Sequence, residues 1–158
     1  MMSLHFQPFL QRWLPCLLLL LAAPSCGTMS YNQAWDDFSE EEEPGGMVGR
    51  WQGTWVSEWN GHDGGLRCML TSAEEDAFLA RFHSTYGWFL SFRHEALFHV
   101  VNDEGGALRF EGEEDLGALF GGLYRYSGTV TGDRFEAHYE AENGDHGTFS
   151  MERVDASE

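Results

Sequence analysis

Two histidine–aspartate pairs are the first residues in this sequence whose chemistry could serve a function. His62-Asp63 and Asp145-His146 both lie in segments rich in glycine and asparagine. Imidazole and carboxylate groups together can bind a divalent transition metal. The same residue types are also ordinary in tight turns. We interpret both pairs as turn residues, and the sequence predicts neither a metal site nor a cofactor.

The sequence has no G-x-S-x-G nucleophile elbow, no H-E-x-x-H pair and no glycine loop for phosphate. The run of acids Glu113-Glu114-Asp115 is typical of a solvated turn. We therefore expect no enzymatic activity.

Large apolar residues in two glycine-containing segments, 86–92 and 115–122, are the strongest candidates for ligand contact. Both segments are predicted to be loops, where such residues either fold inward as a plug or line the mouth of a ligand site. Two tyrosines that follow the second segment add hydroxyls that could orient a polar group. The predicted ligand-binding residues are Trp88, Phe89, Phe92, Leu119, Phe120, Tyr124 and Tyr126. The ligand that they would suit is small and mostly apolar.

Strands are predicted to position these residues. From Met47 onward apolar and polar residues alternate, most regularly over 134–141, and turn-forming clusters separate eight such segments. Each segment has one apolar face, and closing the sheet would protect its edge strands. The sequence predicts an all-β fold over 47–154, a small antiparallel up-and-down barrel of about eight strands, followed by a tail at 155–158. A two-sheet sandwich is the alternative.

An up-and-down order sorts the loops between two ends of the barrel. Short polar loops after strands 2, 4 and 6 form the closed end. Loops after strands 1, 3, 5 and 7 form the open end, which includes both apolar segments and both histidine–aspartate pairs. His83, His99 and His138 are predicted to face outward into solvent.

The start of the first strand carries a resemblance to a known superfamily. Gly49-Arg50-Trp51 and Gly53-Thr54-Trp55 each resemble the G-x-W motif of lipocalins and other calycins, including the avidin type. Arg153 matches the position of an arginine that many members carry near the end of the last strand. The resemblance implies a structural role for these residues, with Arg153 packed over Trp51 or, as the less favoured choice, over Trp55.

The first 25 residues are predicted to be a signal peptide. Arg12 precedes the apolar run 14–23, which is shorter than the about 20 residues needed to span a bilayer. Ala23-Pro24-Ser25-Cys26 resembles the lipobox of bacterial lipoproteins, which implies lipidation of Cys26 and anchoring in the cell envelope. The alternative is plain secretion, with Cys26 free to pair with Cys68.

Residues 26–46 are predicted to be a flexible acidic linker. Six acids lie within 36–43, and such a run repels itself and favours an extended chain. The net charge of the protein is −17, and the sequence contains nine arginines and no lysine. This charge argues against binding to nucleic acid or to anionic lipid surfaces, so membrane contact is expected only through an N-terminal lipid. Nothing in the sequence indicates an oligomeric state.

These predictions define two functional hypotheses. The first is an exported, lipid-anchored barrel that binds a small, mostly apolar ligand at its open end. The second is a structural or protein-interaction module of the cell envelope with a fully packed barrel. The volume left empty inside the barrel distinguishes them.

Overall fold

The computed structural model describes the backbone of residues 25–41, 46–87 and 90–154. The described elements are one α-helix, eight strands and a short 3-10 helix, Ala118–Phe120. The helix α1 covers Ser25–Glu41. The strands are β1 (Gly49–Ser57), β2 (Asp63–Glu74), β3 (Ala77–Tyr86), β4 (Leu90–Glu104), β5 (Ala107–Asp115), β6 (Leu123–Thr131), β7 (Arg134–Ala141) and β8 (His146–Arg153). Residues 1–24 of the predicted signal peptide, the Cys26 side chain, Trp88, Phe89 and the tail lie outside the description.

The eight strands form a closed barrel in which each strand pairs with the next one in the chain. β8 returns to pair antiparallel with β1, with Trp51 opposite Arg153 and Gly53 opposite Met151. The predicted all-β, up-and-down barrel is therefore confirmed, and the sandwich alternative does not apply.

Tight turns close the end of the barrel that carries Trp51 and Arg153. Two residues separate β2 from β3, β4 from β5, and β6 from β7. Gly105 and Gly106 both have positive φ angles, 64° and 90°, which glycine adopts without steric cost. Because these connections are so short, the backbone at this end has little freedom to change conformation.

Glycines that face the interior make room for large aromatic side chains on the neighbouring strand. Phe98 lies directly opposite Gly112, and Phe110 lies opposite Gly128. A Cβ atom at either glycine would meet the ring across from it. Phe98 and Phe110 can therefore stack with their ring centroids 4.7 Å apart, and Phe110 lies 5.0 Å from Phe135. This pairing lets a short barrel contain a dense aromatic core.

Tyr86 and residues 90–92 of the first apolar segment belong to strands, whereas the sequence predicted a loop there. β3 continues to Tyr86 and β4 begins at Leu90, so the two strands form one long hairpin. Phe92 is a strand residue opposite Ser84. The β-favouring sequence of this region extends the ladder, because each added pair satisfies backbone hydrogen bonds.

The structure also differs from the prediction of an extended linker, because Ser25–Glu41 is helical. The chain divides into two compact units, Met1–Ala34 and Trp35–Glu158, with the boundary inside α1. The described part of the first unit is the N-terminal portion of that helix. In the second unit Trp35 is buried, and the guanidinium carbons of Arg50 and Arg67 lie 5.4 and 5.3 Å from its ring centroid. Two cation–π contacts thus stabilise Trp35 in a segment that charge repulsion alone would extend.

One histidine predicted to be solvated is buried. His83 is 8% exposed, whereas His99 and His138 are exposed as expected. His83 lies opposite Arg67 on the outer face of β3, in the same region as the buried Arg50. The prediction failed there because strand alternation alone does not show that part of an outer face is covered.

Among the described residues, no helix has both the length and the apolar character that crossing a membrane requires.

Candidate ligand cavity at the open end

A cavity of about 490 Å³ lies inside the barrel near its open end. We call the part of the barrel around this cavity the open half. The lining is mostly aromatic, with a few polar side chains. The lining residues are Trp55, Leu66, Ser84, Tyr86, Phe92, Arg93, His94, Leu116, Phe120, Tyr124, Tyr126, Tyr139, Asp145 and Phe149. They come from seven strands and from the connections that follow β5 and β7.

Aromatic rings form most of the cavity wall. Trp55 and Tyr86 lie 6.3 Å apart between ring centroids, and the Trp55 Nε1 donates a 3.0 Å hydrogen bond to the Thr85 carbonyl. At the rim, Phe92 and Phe120 meet edge to face at 6.4 Å. The indole is therefore held in one orientation, while the rim ring of Phe120 remains 59% exposed.

Asp145 brings a carboxylate to the cavity. Its Oδ1 accepts hydrogen bonds from the Ser57 hydroxyl at 2.7 Å and the Tyr139 hydroxyl at 3.3 Å. Its backbone amide donates to the Asn143 side chain at 2.9 Å, which fixes the turn after β7. Burial, with a smaller contribution from the Asp145 charge, raises the pKa of Tyr139 far above its usual value. Tyr139 therefore stays a neutral hydrogen-bond donor.

His94 and Glu114 are two polar residues of the interior. His94 was not singled out in the sequence, and Glu114 was wrongly interpreted as part of a solvated turn, because β5 extends through Asp115. The His94 ring stacks on Phe82 at 4.9 Å, and burial lowers its pKa to about 4, so it is neutral near pH 7. Burial and the nearby Glu95 carboxylate raise the pKa of Glu114. His94 Nε2 and Glu114 Oε2 are buried without a hydrogen bond to any described residue. The alternation of the strands could have identified both residues. His94 is an even number of residues from the inward-facing Phe98, and Glu114 is an even number from the inward-facing Phe110.

The structure brings together four of the seven predicted ligand-binding residues. Phe92, Phe120, Tyr124 and Tyr126 line the cavity. Leu119 is 93% exposed and is not among the lining residues. Trp88 and Phe89 lie outside the described residues. The rim therefore does not fold inward as a plug at Leu119 and Phe120.

At the opposite end, the Arg153 guanidinium lies 4.2 Å from the centroid of the Trp51 ring. It donates to the carbonyls of Val48 at 2.6 Å and Gly46 at 2.7 Å, and to the Asp133 carboxylate at 3.1 Å. The expected contact with Trp51 is present, together with the acceptors that a largely buried arginine needs. Trp55, the less favoured partner, lies in the cavity wall instead.

The histidines of the two histidine–aspartate pairs contact other residues of the open end. His62 packs edge-on against Tyr86 at 4.9 Å, and His146 Nδ1 lies 3.0 Å from the Gly144 carbonyl. In the part of the chain that the structure describes, no group of three or more potential metal ligands is present.

Cys68 is a free thiol that is fully buried in the core, and burial raises its pKa. It therefore behaves as a small apolar side chain.

No protein-family model, curated protein or solved structure matches this chain.

Proposed function

We propose that this protein is an exported binding module that takes a small, mostly apolar ligand into the open half of its barrel. The observation that supports the proposal most strongly is the cavity of about 490 Å³ with its aromatic lining. Ligand sites in proteins are typically of roughly 300–1,000 Å³, mostly apolar, with a few placed polar groups. A cavity of this size favours the binding hypothesis over a fully packed barrel.

The lining offers a ligand two kinds of contact. The rings of Trp55, Phe92 and Phe120 would bury an apolar body, and the hydroxyls of Tyr124 and Tyr126 would orient a polar group. Burial raises the pKa of both tyrosines, which keeps these hydroxyls protonated. The role is binding, with no chemical step assigned.

The closed barrel, the G-x-W segment at Trp51 and the packing of Arg153 also support a calycin-like organisation. In such a barrel one end is sealed and the other gives access to the interior. The proposed ligand would therefore enter between the connections that follow β1, β3, β5 and β7.

Binding can be tested with a neutral apolar fluorophore, N-phenyl-1-naphthylamine, titrated into the purified protein. We expect saturable enhancement of its fluorescence, and about tenfold weaker binding for Phe120→Ala, because this exposed ring contacts the ligand rather than the core. Circular dichroism and the melting temperature of the variant should be unchanged. Absence of saturable binding to the wild type would refute the proposal.

Trp88→Ala separates a contact role from a plug. We expect this variant to bind the fluorophore more weakly and to keep its fold. If Trp88→Ala unfolds the domain, the 86–92 segment is structural and the interaction-module hypothesis takes precedence.

We further propose export with lipidation at Cys26, on the basis of the apolar run and the Ala23-Pro24-Ser25-Cys26 segment. Cys26→Ser should then accumulate as unprocessed precursor in a bacterial host. Normal processing of the variant, or release of the wild type without detergent, would rule lipidation out and leave plain secretion.

The second candidate, a protein-interaction module, draws support from the exposed apolar rim. Trp59, Leu119 and Phe120 are all exposed at the open end. Native mass spectrometry of protein purified from its own host distinguishes the candidates, because a small mass increment indicates a ligand and a large one indicates a protein partner.

A further inference from the structure

We infer that the open-end cavity selects an organic cation, a ligand that carries an amine or quaternary ammonium group on an apolar body. This inference rests on the proposed binding function and adds the charge class of the ligand. It is drawn from the juxtaposition of the Asp145 carboxylate with the aromatic wall of the cavity.

Asp145 is the one acidic residue among the described residues that line the cavity. Both side-chain hydrogen bonds that it accepts from described residues fall on Oδ1. Its second oxygen, Oδ2, can therefore accept a further donor without breaking the contacts of Ser57 and Tyr139. A positively charged ligand group would supply that donor or, for a quaternary ammonium, a compensating charge.

The aromatic rings favour the same charge. The face of an aromatic ring is electronegative and attracts cations, most strongly where water is excluded. Tyr124 and Tyr139 are stacked with centroids 6.0 Å apart, and Tyr139 lies 5.3 Å from Phe149. Because the Tyr139 hydroxyl also donates to Asp145, the rings and the carboxylate belong to one side of the cavity.

Positive charge is scarce inside this cavity. Among the described lining residues, His94 is the one basic residue on the inward-facing side of its strand. Burial lowers its pKa to about 4, so its imidazole is neutral at pH 7. Arg93 also lines the cavity, but it lies opposite His83 on the outward parity of β4 and its side chain is exposed. The guanidinium therefore belongs to the outer rim, where water screens it.

Acidic side chains around the entrance of the cavity create a negative electrostatic potential there. Exposed acids lie on the connections and strand ends of the open end, at Glu58, Asp63, Asp115 and Glu142. Together with the net charge of −17, they raise the local concentration of cations at the entrance. An anionic ligand would meet the Asp145 carboxylate without compensation and would be rejected.

Three probes with one apolar body test the inference by calorimetry at pH 7 and low salt. They are 4-phenylbutylamine, 4-phenylbutanol and 4-phenylbutyrate, which are cationic, neutral and anionic. We expect the amine to bind about tenfold more tightly than the alcohol, and the butyrate to bind most weakly. The preference for the amine should shrink as salt is added.

Asp145→Asn should remove the preference for the amine, so that the amine and the alcohol bind with about equal affinity. Asparagine keeps the Oδ1 acceptor for Ser57 and Tyr139, so the turn is retained. Glu140→Gln is the matched control, because it removes one negative charge from the outer, exposed face of β7 and should keep the preference.

If Asp145→Asn fails to fold, the affinities of the wild type for the three probes still test the preference for a cation. Equal affinities for amine and alcohol, or tighter binding of the butyrate, overturn the inference and leave the binding function in place. If neither these probes nor N-phenyl-1-naphthylamine bind, the proposed function itself is refuted.

Discussion

The two halves of the barrel use the same eight strands and fill their interiors differently. In the closed half, around Trp51, Phe98, Phe110 and Phe135, the large side chains are completely buried against one another. In the open half, the rings surround a cavity of about 490 Å³ and several remain partly exposed. We infer a division of roles, in which the closed half provides most of the packing free energy and the open half would hold the proposed ligand.

The connections reinforce this difference. The closed end has two-residue turns, and Arg153 ties Gly46, Val48 and Asp133 together over Trp51. At the open end, residues 116–122 link β5 to β6 and include the exposed 3-10 helix. A well-packed closed half tolerates an open half whose polar atoms at His94 and Glu114 are not fully satisfied.

The largest expected effect separates the halves directly. Phe135→Ala should destabilise the protein by about 3–5 kcal/mol, because it leaves a cavity beneath Trp51, Phe98 and Phe110. Urea denaturation followed by circular dichroism measures the loss. Leu119→Ala at the open rim is the control, and its cost should stay within about 0.5 kcal/mol. Comparable losses for both variants would contradict the division of roles.

The next effect concerns pH and the open half. The pKa of His94 is lowered to about 4 from 6.5, so the unfolded chain binds this proton more readily than the folded protein does. The stability that depends on neutral His94 is therefore complete above about pH 6.5 and is lost as the pH falls to 4, by about 3 kcal/mol. Urea denaturation at pH 7 and pH 4 should show a smaller loss for His94→Phe than for the wild type. Equal losses would mean that His94 titrates normally.

A smaller effect is expected at the closed end. Arg153→Ala should lower the free energy of unfolding by about 1–3 kcal/mol, through lost packing on Trp51 and lost hydrogen bonds. Arg153→Lys should recover part of this loss, since lysine keeps the charge but cannot bond several acceptors in one plane. Differential scanning calorimetry of the three proteins tests the order. If Arg153→Ala melts at the same temperature as the wild type, Arg153 does not stabilise the closed end.

The strand pattern predicted the barrel and its closure well, because alternation specifies which face of each strand is buried. The resemblance to calycins led us to expect Arg153 beside Trp51, and the antiparallel pairing of β8 with β1 provides that contact. The strand pattern left open whether the barrel contains a cavity, because the empty volume depends on how rings and facing glycines such as Gly112 and Gly128 fill a barrel of given width.

The acidic segment shows a different failure. Its charge predicted an extended chain, but Tyr31, Trp35 and Phe38 follow a helical spacing of four and three residues. That signal was present in the sequence. The contacts of Trp35 with Arg50 and Arg67 could not be predicted from the sequence, because they join residues that are distant in the chain.

The most direct test of the ligand-binding role is an NMR titration of the isotope-labelled protein with 4-phenylbutylamine. We predict saturable shifts in signals of residues that line the open-half cavity, such as Leu66, Tyr124 and Phe149, with unchanged signals around Phe98, Phe110 and Phe135 in the closed half. Shifts centred on the closed half, or no saturable shift with any of the three phenylbutyl probes, would contradict it.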